Sequence, residues 1–111
     1  MSPIEDIAQA QLEAYNAQDL ERYCSYFTED CLIADLNGAT TSNGRAAIKE
    51  RYAKAFATFP QNKAHLLNRI VLGNVVIDHE DVVRAPGGER FQVAAIYTFR
   101  DGLIARVDFA K

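Results

Sequence analysis

The spacing of the apolar residues changes once along this chain, and that change decides the fold class. Up to Phe59 they recur at helical spacing, and from Lys63 onward they alternate. A 3.6-residue period buries one face of a helix and a two-residue period buries one face of a strand. Helices therefore come first and strands after. Ile4, Ala8, Leu12 and Tyr15 share one helical face, and Ser2-Pro3-Ile4-Glu5 offers a cap, a first-turn proline and a capping-box acid. The spacing predicts a helix over 3–17. Asp19 is placed to cap a second, short helix through Leu20, Tyr23, Cys24 and Phe27. Thr28-Glu29-Asp30 reads as a turn, 31–36 as a short strand ended by Asn37-Gly38, and Thr40–Gly44 as a loop. Asn43 can cap a third helix with the stripe Ile48, Tyr52, Ala55, Phe56 and Phe59, stopped at Pro60. Strands are predicted over 65–72, 75–84, 91–99 and 103–109, and Asp101-Gly102 is a strong hairpin signal. Helices segregated from antiparallel strands define an α+β fold. Three N-terminal helices pack on one curved, mainly antiparallel sheet, and 1–111 is a single domain.

Composition excludes several functions. The chain is 49% hydrophobic and 24% charged, which supports a folded core. A net charge of −3 argues against a nucleic-acid partner, whose phosphates need a basic face. No apolar run approaches a membrane span, and the first residues carry neither the basic nor the apolar region of a secretory leader. Cys24 and Cys31 have no metal spacing and read as reduced thiols, so a cytoplasmic location is expected. His79-Glu80 resembles the start of a zinc motif, but position 83 is Val, and neighbouring strand residues face opposite ways; no metal is expected. Nucleotide-binding loops and hydrolase elbows are missing, and no cofactor is expected.

Alternation assigns faces. In 75–83, Asp78 and Glu80 make one face read as wetter, which predicts that His79 points inward with Val75 and Ile77. In 91–99 the inward face is Phe91, Val93, Ala95, Tyr97 and Phe99. Ile33 and Asp35 share a face of the early strand. Asp35 has two readings. Buried among apolar neighbours its carboxyl would be raised and could move a proton. At the strand's wet end it would only serve the Asn37-Gly38 turn.

Five segments carry a resemblance: 18–21 (Gln-Asp-Leu-Glu), 26–31 (Tyr-Phe-Thr-Glu-Asp-Cys), 34–38 (Ala-Asp-Leu-Asn-Gly), 44–48 (Gly-Arg-Ala-Ala-Ile) and 97–104 (Tyr-Thr-Phe-Arg-Asp-Gly-Leu-Ile). Together they resemble the nuclear transport factor 2-like superfamily, which includes ketosteroid isomerases and SnoaL-type polyketide cyclases. The resemblance implies a cone-shaped α+β barrel around an apolar pocket. It places Asp35 on the isomerases' general base and Tyr52 on a tyrosine that supports the oxyanion network. It also shows two departures: Gln11 stands where the isomerases have their oxyanion tyrosine, and Ala95 where they have a protonated aspartic acid. Loss of both donors argues against true steroid isomerisation. The cyclases use an aspartate elsewhere on the sheet, for which Asp81, at the pocket mouth, and Asp108, on the outer face, are the candidates. A homodimer through the outer face of the sheet is implied, with Ala94, Ile96, Thr98, Ile104, Arg106 and Asp108 contributing.

The expected site is therefore a mostly apolar cavity with a few convergent polar groups. Asp35, His79 and Tyr15 are the candidate catalytic groups. Gln11, Tyr52, Phe56 and Tyr97 would bind ligand, and Ile33, Val75, Ile77, Val93 and Phe99 would form walls. Each tyrosine, and His79, could equally be a hydrogen-bonded core residue. Two functions follow: a small enzyme that shifts a proton on an apolar, carbonyl-bearing molecule, or a non-catalytic binding or dimerisation module of the same fold.

Overall fold

The computed structural model describes residues 3–111; the cap expected at Ser2 lies outside them. Helix α1 spans Pro3–Ala17, α2 Leu20–Cys24 and α3 Arg45–Thr58. The strands are β1 (Phe27–Asp35), β2 (Thr40–Asn43), β3 (Lys63–Leu72), β4 (Val75–Val83), β5 (Arg90–Arg100) and β6 (Leu103–Ala110). Asp19 caps α2 as expected, its side chain accepting from the Arg22 N–H. The β5–β6 turn holds Asp101 at φ 53° and Gly102 at φ 79°, the left-handed pair that a two-residue hairpin needs.

One six-stranded sheet runs in the order β2-β1-β6-β5-β4-β3. All neighbours are antiparallel except β1 and β6, which are parallel. With β2 and β3 at its two ends, the sheet curves around the helices but stays open. Four local expectations change. Phe27, expected on the second helix, opens β1, because α2 ends at Cys24. Thr28–Asp30 extends β1 and is no turn, and Thr40–Asn43 pairs with β1 as an edge strand. The N-cap of α3 is Gly44 with no side-chain cap bond, so Asn43 does not serve there. Thr40–Asn43 reads as a loop by composition, yet its ladder to β1 pairs its backbone groups.

The inner face of the sheet and the helices enclose an aromatic core. Tyr23 lies 4.8 Å from the Tyr52 ring and 5.0 Å from Phe27, and Tyr15 and Phe56 complete the cluster. Tilted and edge-on pairs of this kind add roughly 0.5–1.5 kcal/mol each beyond their area.

The faces of β4 are the reverse of the expectation. Val76, Asp78, Glu80 and Val82 are buried, whereas Val75, Ile77 and His79 are half-buried on the outer face. Two carboxylates looked wet, but Asp78 is fully buried because Arg69 on β3 grips it at 2.7 and 3.0 Å. Gln9 on α1 accepts a further bond from Arg69, at 3.0 Å. A buried charge is tolerated when it is paired and hydrogen-bonded. Ile104 also changes sides. The β5–β6 register slips between Thr98 and Phe99, so Ile104 pairs with Phe99 and is fully buried, while Arg106 stays outside. Arg69→Met should strand the Asp78 carboxylate and destabilise the fold by about 3–5 kcal/mol; urea unfolding measures it.

Candidate functional site

Helix α1 contributes Gln11, Leu12 and Tyr15 to a cavity of about 130 Å³, and α3 contributes Arg51, Tyr52 and Ala55. The sheet closes it with Glu80, Val82 and Arg84 from β4 and its end, Val93 and Tyr97 from β5, and Phe109 from β6. Tyr23, Phe91 and Lys111 complete the wall. A space of about 150 Å³ holds benzene in an engineered protein cavity, so this one is ring-sized.

Its polar atoms are unusual. Among the described residues, three buried side-chain polar atoms have no hydrogen-bond partner: Gln11 Oε1, Glu80 Oε2 and Arg84 Nε. All three residues line this cavity. Buried polar atoms are almost always paired, and an exception calls for an explanation such as a site awaiting a partner. Gln11 and Glu80 are 3% and 6% exposed, so the orphan oxygens are not surface groups.

Among the described residues, Glu80 is the only acidic side chain on the cavity wall. Burial pushes its pKa up to about 8; the negative charge of Asp78 adds to this, and Arg69 offsets only part of it. Next to it in the register, Val93 faces the same cavity from β5. Tyr15 accepts a 2.7 Å bond from Asn62 Nδ2. That leaves its own hydroxyl proton for the cavity. Burial holds the Tyr15 phenol at about 12, so it stays a donor across the neutral range. Burial likewise raises Tyr23, Tyr52 and Tyr97.

The expected residues divide into two groups. Gln11, Tyr15, Tyr52, Tyr97 and Val93 meet at the cavity. Asp35 does not: it is the last residue of β1, exposed, with its carbonyl accepting from Gly38 at 2.8 Å in a tight turn. The turn reading is the one the structure has. His79 lies on the outer face, its ring bonded to Gln92 at 2.8 Å and near Asn68 at 3.4 Å. Val75 and Ile77 go out with it. Ile33, Phe56 and Phe99 are core residues that do not line the cavity. Asp81 is gripped by Arg90 Nε at 2.9 and 3.1 Å, which holds its carboxyl below the usual range. Asp108 pairs with Arg106 at 3.0 Å. Neither lines the cavity. Glu80, Arg84, Arg51 and Lys111 were missed; the one available signal was Glu80 lying between Val76 and Val82 on a strand whose two ends are apolar.

The SnoaL-like domain family matches residues 8–107, nearly the whole chain. The chain belongs to the SnoaL-like domain family. Among solved structures, an uncharacterized cystatin-fold protein from Novosphingobium aromaticivorans shares 37% identity with a TM-score of 0.92, over 100% of this chain and 99% of its own. A candidate polyketide cyclase from Sinorhizobium meliloti matches at 24% identity and TM-score 0.81, over 99% and 100%. A candidate ketosteroid isomerase from Kribbella flavida matches at 16% identity and TM-score 0.82, over 96% of this chain and 76% of its own. No curated protein matches the sequence. The last two likenesses establish the SnoaL-like fold, and the chemistry rests on this domain's own cavity.

Glu80 makes the stability of this SnoaL-like domain pH-dependent. Its folded pKa of about 8 lies above the ordinary 4.5, so the folded state holds the proton longer than the unfolded chain. Its contribution is complete below pH 4.5 and is lost as pH rises through about 8. Glu80→Gln should match the wild-type melting temperature at pH 5 and exceed it at pH 9, with a stability difference on the order of 3–5 kcal/mol. Thermal melts across that range measure it.

Proposed function

We propose that this domain binds a small carbonyl compound in the cavity and moves a proton on it, with Glu80 as the acid–base group. The observation that carries the reading is a buried carboxyl group without a counter-ion, poised near neutrality and with one oxygen unpartnered, on the wall of a ring-sized cavity. In its ionised form Glu80 takes a proton from the carbon next to the carbonyl. The C–H pair passes into an enolate, and Tyr15 donates a hydrogen bond to the enolate oxygen. Glu80 then returns the proton to the same or a conjugated carbon, so base and acid are one group. The ring-sized volume of about 130 Å³ favours a one-ring substrate over a whole steroid. Asp35 has no part in this scheme.

The alternative is a binding module without turnover, favoured by Gln11 and Ala95 at the positions where the isomerase resemblance expects oxyanion donors. Deuterium exchange next to the carbonyl of cyclopentanone, followed by NMR, separates the two. Exchange should rise with pH and level off above about 8, the Glu80 value. Glu80→Gln should slow it about a hundredfold, and Asp35→Asn should leave it unchanged. Wild-type exchange no faster than in buffer would reject turnover and leave the module.

We also assign the outer face of the sheet to a second copy of the chain. Ile70 and Leu72 on β3 are 57% and 76% exposed and lie beside Ile77 and Val75 of β4. Ile96 extends that strip onto β5. Contiguous exposed apolar surface of this kind marks an interaction site. Ile104, being buried, leaves the set, while Ala94, Thr98, Arg106 and Asp108 remain on its border. Light scattering should give a dimer mass, and Ile70→Glu a monomer. Cys24 and Cys31 stand as free buried thiols, which fits a cytoplasmic location.

A further inference from the structure

We propose that the cavity takes a ring-sized carboxylate, held at its anionic end by Arg84. This rests on the cavity being a ligand site, but not on proton transfer by Glu80. Three cations, Arg51, Arg84 and Lys111, line the wall, against one carboxyl group. That carboxyl group is held largely neutral by burial. Even with Glu89 counted, 3.8 Å from Arg84, positive side chains outnumber negative ones around the cavity, and an anionic ligand would offset part of that excess.

The three cations are not equivalent. Arg51 already donates to Thr41 Oγ1 at 3.0 Å, and Lys111 sits over Phe91, 5.9 Å from the ring centre. Arg84 is the one fixed in place. Its guanidinium stacks between Phe59 and Phe91, at 4.7 and 4.8 Å from their centres. Its Nη1 donates to Asn62 Oδ1 at 3.0 Å, and the same Asn62 holds Tyr15. Its Nε is buried and makes no hydrogen bond. The nearest carboxylate to that Nε, Glu89, stands 3.8 Å away on a side chain 71% exposed, beyond hydrogen-bond reach. A guanidinium held by Asn62 and two rings, with one N–H still unpaired, has a hydrogen bond to give to a carboxylate oxygen. Gln11 Oε1, the orphan acceptor, then asks for a donor elsewhere on the ligand.

Calorimetry on the full chain at neutral pH, with benzoate and its neutral isostere benzamide as probes, tests the assignment. Benzoate should bind at least about tenfold more tightly than benzamide. Arg84→Gln should bring the benzoate-to-benzamide affinity ratio down to about one, whatever happens to benzamide itself, and Arg84→Lys should restore part of the preference. Melting temperatures of both variants show whether the fold is intact, and the wild-type contrast stands without either. Equal affinity for the two probes, no benzoate binding at millimolar concentration, or unchanged benzoate binding in folded Arg84→Gln would overturn the proposal. Binding is read without turnover. A failed exchange assay therefore leaves this result standing, and equal probe affinities leave the proton-transfer reading standing.

Discussion

Two carboxyl groups on the inner face of β4 have to be accommodated in the interior, and only one has a counter-ion. Asp78 has Arg69, held on both oxygens and braced by Gln9 of α1. Two residues along the same face, Glu80 has none. The bidentate pair uses Arg69's charge on Asp78, so that charge reaches Glu80 only weakly, and Asp78 acts on Glu80 as a like charge. Burial completes the effect, and the carboxyl group is poised near neutral pH. The ion-paired carboxylate and the unpaired carboxyl group are thus consecutive members of one face.

The cavity follows from how the aromatic core is cut off. Tyr15, Tyr23, Tyr52 and Phe56 pack edge to face and fill most of the cone. Flat, rigid rings meeting at steep angles leave a residual space whose size is set by the last ring in each direction. Here the remainder is ring-sized and lined by four tyrosines, Tyr15, Tyr23, Tyr52 and Tyr97, together with Phe91 and Phe109. Asn62 ties the wet end together by donating to Tyr15 and accepting from Arg84. It is itself 4% exposed, so the tie is shielded from water and holds two polar groups in one geometry.

Much of the architecture could be read directly from periodicity and turn chemistry. The capped α2, the Asp101-Gly102 hairpin and the four-strand run are local signals, and local signals do not depend on what packs against them. Besides the turn at 28–30, the loop at 40–44 and the Asn43 cap, what failed was the side on which residues lie. Asp78 and Glu80 made a face look wet because alternation carries no knowledge of Arg69, nine residues earlier on the neighbouring strand. The register slip at Thr98/Phe99 broke the parity at Ile104, and nothing in the sequence flags a bulge without its partner strand. Asp35 misled for a different reason. Its position matched a family role, but here it ends β1, opens the tight turn to Gly38 and is exposed.

The family frame therefore fixes a hollow and a curved sheet, and leaves the placing of its carboxyl group open. The position that the isomerase resemblance gives to a protonated acid holds Ala95 here, and Ala95 pairs across to Asp78. On the same inner face, one strand over and one step along, stands Glu80. Any strand lining the hollow can supply a carboxyl group to it, because alternation aims every second side chain inward. What makes such a group chemically useful is the shortage of counter-charge around it. In this chain that shortage is built by burial and by committing Arg69 to Asp78, so that its charge offsets only part of the effect on Glu80.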